Sequence, residues 1–120
     1  MESELPFATW KDRILFFLGR RQGFVIEGNS MSPTLKDGDG VLISPRSKIN
    51  AGDIVLAHHP FKKSVKILKR ISQANTDDTF ELIGDNADES TDSRAFGPIH
   101  QKHILGKVTC RLKTRAHSSP

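Results

Sequence analysis

The chain has 120 residues, of which 36% are hydrophobic and 27% charged, and a net charge of +4. That length supports one domain with one modest core. A single cysteine, Cys110, excludes an internal disulfide and a cysteine-based zinc site, and no run reaches the ~18–20 apolar residues of a membrane span.

Residues 6–20 read as a helix, with Pro6 suited to a first helical position. Phe7, Trp10, Ile14 and Phe17 recur at helical spacing and form an apolar stripe, expected to pack on the rest of the domain. The alternative is a helix lying on a membrane surface, with Lys11, Arg13, Arg20 and Arg21 near lipid headgroups. The apolar run 14–18 is too short, and wrongly flanked, for a secretory signal peptide.

From Gly23 the period changes to two. Residues 23–27 form a short strand that enters Gly28-Asn29-Ser30-Met31-Ser32-Pro33-Thr34-Leu35. Gly28 permits a sharp turn and a close substrate backbone. Ser30 then sits at the turn, Met31 anchors it, and Pro33 blocks regular strand pairing. Such a stretch reads first as a turn between strands. It also offers two parts of a nucleophilic site, a hydroxyl and a backbone N–H for an oxyanion.

Turns at 36–40 and 51–53 separate strands at 41–43 and 54–57. In each turn Asp is expected to hold the backbone and Gly to take positive φ. In the strand 65–71, Val65, Ile67, Lys69 and Ile71 share one face, so Lys69 is the charged residue on an apolar face. Burial there lowers a lysine pKa and can make it a general base, whereas a strand-edge lysine would reach out to water. A turn at 75–78, a strand at 79–83 and a strand at 103–112 complete the fold, with Cys110 on the apolar face of the last. Residues 113–120 read as a loose tail. Many short strands with Gly/Asp turns indicate a compact, mainly β fold.

Gly84 to Arg94 is dense in carboxylates. A calcium loop is unfavoured, because Ala87 stands where an oxygen ligand belongs and Thr91 where the glycine belongs. The pairs His58-His59 and His100/His103 lack an evident third ligand, so no metal and no other cofactor is expected.

The serine loop, the Lys69-Arg70 strand and Gly84-Asp85-Asn86-Ala87-Asp88-Glu89-Ser90-Thr91-Asp92-Ser93-Arg94 together resemble the boxes of the type I signal peptidase family, Ser/Lys-dyad proteases. The resemblance runs from about residue 23 to 112. It implies a mixed β-barrel catalytic core at 23–112, which the N-terminal amphipathic helix read from the apolar periodicity, at 1–22, precedes. It implies that Ser30 is the nucleophile and Lys69 the base, that Ser90 hydrogen-bonds the lysine, and that Asp92 and Arg94 form a bracing ion pair beside Asp85. Gly28, Asn29 and Met31 would form the oxyanion and substrate loop. Gly28 stands where the family often has a second oxyanion donor.

The resulting expectation is a serine endopeptidase that removes an N-terminal extension from a precursor bound as an extended segment. The chain resembles the short, anchor-free members called nickel-type superoxide dismutase maturation proteases, which implies that dismutase precursor as substrate and a cytoplasmic location. Processing of exported preproteins, with peripheral membrane contact, is the alternative. A self-cleaving repressor-type protease is disfavoured because the only Ala-Gly, Ala51-Gly52, lies downstream of Ser30. A nucleic-acid-binding barrel using Lys62, Lys63, Lys66 and Arg70 is disfavoured by the lack of interleaved aromatics.

Overall fold

Two long strands with period-two patterning, β4 (Lys66–Ala74) and β7 (Ile104–Leu112), pair antiparallel with the two sides of β3 (Ile54–His58). In this computed structural model, which describes residues 5–62, 64–86, 88 and 93–112, the other strands are β1 (Gln22–Val25), β2 (Gly40–Ser44), β5 (Thr79–Ile83) and β6 (Ile99–His100). The sheet order is β1-β2-β7-β3-β4-β5-β6. The fold is mainly β, as expected. The sheet is not closed into a barrel: β1 and β6 are its edges, and no pairing joins them among the described residues. At four and two residues these edges offer too short a ladder for closure. Register shifts at Leu42/Ile43, Leu56/Ala57 and Ile71/Gln73 bend the strands without joining the edges.

The central strand is covered on both faces. Ile54 and Leu56 face one apolar cluster, shared with Met31, Leu35 and Val41 under the serine loop. Val55 and Ala57 face the other, shared with Ile71, Leu82 and Ile99. Leu35 is 0% and Met31 1% exposed, and a side chain of that size contributes about 1.5–3 kcal/mol when fully buried. Serine loop and core are therefore one structure. Cys110 is buried, and burial pushes its thiol pKa up, which keeps it in the unreactive protonated form.

Gly106 is a required close approach. A Cβ there would lie 2.6 Å from the Ser44 carbonyl oxygen and 2.9 Å from Pro45 Cα, both backbone atoms that cannot swing away. Gly106→Ala is therefore predicted to destabilise the fold by about 1–3 kcal/mol. Urea unfolding measures this, and a midpoint equal to the parent's would refute the packing argument.

The helix α1 is shorter than the sequence suggested, spanning Trp10–Phe17. Pro6 is not its first residue. Residues 6–8 instead run beside β7, with Arg111 N–H donating to Pro6 O (2.8 Å), Ala8 N–H donating to Arg111 O (2.7 Å) and a parallel bridge at Phe7. Those bonds extend the backbone, and the helix starts only after Thr9. There the Asp12 carboxylate accepts the Thr9 N–H (2.7 Å) and hydroxyl (3.1 Å). The Phe7/Trp10/Ile14/Phe17 stripe is not buried against the domain as expected: all four residues are exposed, with the Arg111 guanidinium 4.3 Å over the Phe7 ring. A second short helix, α2 (Ser93–Phe96), and a 3-10 turn, Gln101–His103, precede β7.

Candidate active site

The serine loop is held at both ends by carboxylates. Gly28 has φ +83°, a left-handed conformation that suits glycine, and its N–H donates to Asp37 Oδ1 at 2.7 Å. Asp39 Oδ2 accepts the Lys36 N–H at 2.9 Å, and the Gly38 N–H closes onto Ile26 O at 2.8 Å. Asp therefore holds the turn and Gly38 takes positive φ, as the sequence implied. The same holds at the next turn, where Asp53 accepts the Asn50 N–H and Gly52 has positive φ. Within the loop, Ser32 N–H donates to Asn29 O and Leu35 N–H to Met31 O, which seats Met31 and Leu35 in the core and leaves Ser30 at the surface of the turn.

Ser30 and Lys69 line one cavity of about 250 Å³, together with Met31, Phe24, His59 and the β4 segment 66–68. Lys69 is 5% exposed. It pairs with Val55 in the centre of the sheet and shares its face with Ile67 and Ile71. It does not reach out to water as a strand-edge lysine would. Among the described residues neither the Ser30 hydroxyl nor its N–H is committed to a hydrogen bond. A contact between nucleophile and base is often long in an unliganded site and tightens on binding. Two incompletely paired strand segments flank the cavity. β1 pairs with β2 alone, and β5 joins β4 in register only from Arg70 onward.

The loop after β5 clamps the serine loop from above. Asn86 N–H donates to Ser30 O at 2.8 Å, and its side-chain amide to Asn29 O at 3.1 Å. Asp85 accepts from Thr34 Oγ1 at 2.6 Å, and Arg70 Nε and NH2 grip both its oxygens at 2.9 and 2.8 Å. Arg70 in turn donates to Gly52 O. One carboxylate thus ties the serine loop to the residue next to Lys69.

The Arg70 hydrogen bonds, helped by Thr34 and opposed by desolvation, hold the Asp85 carboxyl below its ordinary pKa. Its stabilising contribution is therefore present above the unfolded-state pKa of about 4 and is lost as pH falls through the lower folded value. Asp85→Asn is predicted to cost about 2 kcal/mol at neutral pH, the scale of a hydrogen bond to a charged group. The gap between variant and parent should shrink in acid. Denaturant melts at both pH values measure it, and a gap that stays constant would refute the assignment.

The expected bracing pair is only partly visible. Ser90 and Asp92 lie outside the described residues, and Arg94 sits exposed in α2. Asp85, assigned to the bracing loop on the resemblance, is held by Arg70 and Thr34, which the sequence did not point to as its partners. Ser93 was also missed: it is buried, and its hydroxyl accepts the Leu82 N–H at 2.9 Å. The nitrogen Nδ1 of His100 accepts the Lys102 N–H, and that of His59 the Phe61 and Lys62 N–H groups. Of the basic residues named above, Lys62 and Lys66 are exposed, Arg70 is ion-paired with Asp85, and Lys63 lies outside the described residues.

Residues 19–109 match the family model described as Peptidase S24-like. Mitochondrial inner membrane protease subunit 1 of Xenopus tropicalis is 32% identical over 111 residues, covering 73% of this chain and 66% of that protein. The Homo sapiens protein of the same name is 34% identical over 108 residues, covering 71% and 65%. Mitochondrial ATP-independent inner membrane protease subunit 1a of Arabidopsis thaliana is 34% identical over 113 residues, covering 72% and 67%. The chain thus spans about two thirds of the length of the curated relatives it matches. With the family model matched across most of its length, the chain belongs to the peptidase S24-like family.

Proposed function

We propose that this chain is a serine endopeptidase, with Ser30 as nucleophile and Lys69 as general base, that trims an N-terminal extension from a precursor protein. The observation that carries the reading is Lys69, buried in the wall of the cavity that Ser30 also lines. Loss of hydration disfavours an ammonium, and a neutral lysine can take the Ser30 proton. Ser30 Oγ then attacks the scissile carbonyl. The uncommitted Ser30 N–H steadies the oxyanion, while Gly28 and Asn29 hold the loop backbone open toward the substrate. Protonated Lys69 next gives its proton to the leaving amine, and water hydrolyses the acyl-enzyme. Ser90 is assigned to orient Lys69, and Asp92 with Arg94 to brace the loop, on the sequence resemblance. The substrate is assigned an extended conformation, laid between the incompletely paired edges of β1 and β4.

The finer reading of the substrate, a nickel-type superoxide dismutase precursor cut in the cytoplasm, rests on resemblance to the short members of the signal peptidase family. Trimming would free an amino terminus able to join cysteine sulfurs in a square-planar nickel site. The second reading is processing of preproteins at a membrane. It is favoured by the names of the relatives, which are inner membrane protease subunits. The test mixes the purified chain with each precursor and follows intact mass. Cleavage of the dismutase precursor, insensitive to chelator and lost in Ser30→Ala, supports the first reading. Cleavage of the exported preprotein alone supports the second. Cleavage of neither, with peptides spanning both sites also intact, overturns the endopeptidase assignment.

A further inference from the structure

Away from the cavity of Ser30, two features lie side by side near the N-terminal end of the described chain. The first is the outer face of α1. Trp10, Ile14 and Phe17 form one stripe at i, i+4 and i+7, and they are 67%, 47% and 86% exposed. Leu18 follows at 68%. Phe16 borders that stripe, 46% exposed, with its ring 3.6 Å from where a Gly23 Cβ would stand, and the half-buried Asp12 and Leu15 mark the opposite side of the helix. The helix therefore turns an apolar stripe to solvent. Lys11 and Arg13 border that stripe, with the Lys11 ammonium 5.7 Å from the centre of the Trp10 ring.

The second feature is a polar cavity of about 600 Å³ at the C-terminal end of this helix. Leu18, Arg20, Arg21, Arg46 and Ser47 line it, and no carboxylate does among its described lining residues. Arg21 donates through NH1 to Arg20 O at 2.9 Å. Its Nε is buried and has no hydrogen-bond partner among the described residues. Three arginines line this one cavity, and arginine suits a phosphate, which accepts several charge-assisted hydrogen bonds at once.

We propose that α1 and the Arg20/Arg21/Arg46 cavity form one docking face for an anionic phospholipid surface. Trp10, Ile14, Phe17 and Leu18 enter the boundary between headgroups and acyl chains, and a lipid phosphate occupies the cavity. An apolar helix face bordered by basic residues has the composition of an interfacial segment. The charge also selects among occupants. A second copy docked by this face would bring the same arginines to a shared seam, like charge against like. An anionic membrane satisfies the apolar and the cationic parts together. The placement has a consequence for the cavity of Ser30. β1 leads directly from Arg21 to Phe24, Ile26 and Glu27 on the cavity wall, a path of roughly 15 Å at strand rise. Docking would hold that cavity close to the lipid surface.

Trp10 is the only tryptophan, so its emission reports insertion directly. The full chain is mixed with phosphatidylcholine vesicles, with and without phosphatidylglycerol, and followed by flotation and Trp10 fluorescence. Flotation and a blue shift are expected with the anionic vesicles, weakening as salt screens the arginines. Arg20→Gln/Arg21→Gln/Arg46→Gln should weaken binding about a hundredfold, at about fivefold per basic residue. Phe17→Ser should reduce binding without changing the melting midpoint, because that side chain is almost fully in water. Should the triple variant fail to fold, Arg46→Gln alone and the salt titration of the parent decide the charge dependence. The proposal is overturned by absence of flotation with anionic vesicles, by equal binding to both vesicle types, or by variants that bind as the parent does. Protection of the parent by inorganic phosphate without vesicle binding, or a dimer dissolved by Phe17→Ser without vesicle binding, also overturns it.

Discussion

Ser30→Ala is expected to abolish precursor cleavage, by at least about 10⁴-fold on the scale of lost nucleophiles, while leaving the melting midpoint nearly unchanged. The two halves of that expectation have separate physical grounds. The hydroxyl makes no hydrogen bond to a described residue, so its removal leaves no buried group unsatisfied, and the change belongs to the class within about ±0.5 kcal/mol. The loop's shape comes instead from Asp37, Asp39 and Asn86 and from the buried Met31 and Leu35, none of which the substitution touches. Ser32→Ala is the matched control, with activity retained. Mass spectrometry of the precursor and a thermal melt read both halves. Residual cleavage near the parent rate in Ser30→Ala would remove the nucleophile assignment.

The candidate site was legible in the sequence where a single residue broke a local pattern. Lys69 stood out as a charge on an apolar strand face, and in the folded chain it is buried on that face beside Ile67 and Ile71. Gly28 and Ser30 stood out against the strand before them, and the Gly/Asp turns announced their own hydrogen bonds. What stayed hidden depended on long-range contact. Arg70 looked like one more member of a basic run, because nothing local shows that Asp85, fifteen positions away, closes on it with both oxygens. Thr34 met the same carboxylate across fifty-one positions.

The fold was legible to a similar depth. The strand 79–83 was placed residue for residue, since alternation and flanking turns agree there. β6 escaped because two residues carry no period. The helix was overextended because helical spacing from Phe7 to Phe17 is satisfied equally by residues that begin as an extended strand. Its orientation was misjudged for a related reason. Periodicity identifies an apolar stripe, but only the exposure of Trp10 and Phe17, against the half-buried Asp12 and Leu15 of the same helix, shows that the stripe faces outward.

Lys69→Arg is expected to be inactive, with a loss of roughly 10³-fold or more, within the range that general base catalysis contributes. Arginine keeps the positive charge and approximate reach, but it does not give up its proton at accessible pH. A lysine that merely supplied positive charge to the oxyanion would tolerate the change. Lys69→Met is the companion variant, because it keeps the length in an apolar wall and removes the charge; it too should be inactive. The parent supplies the independent readout. Because only neutral Lys69 can accept the serine proton, kcat/KM should rise with pH through the lysine's pKa and then level off. Titration of Asp85 cannot imitate that limb. Its pKa is depressed by Arg70 and Thr34, so the stability it contributes is lost only in acid, below the ordinary carboxylate range. Asp85→Asn should accordingly lower the plateau, by loosening the clamp on the serine loop, and leave the position of the limb where it is. A Lys69→Arg enzyme that cleaves at the parent rate, or a parent rate flat across the neutral and alkaline range, would show that Lys69 is not the base.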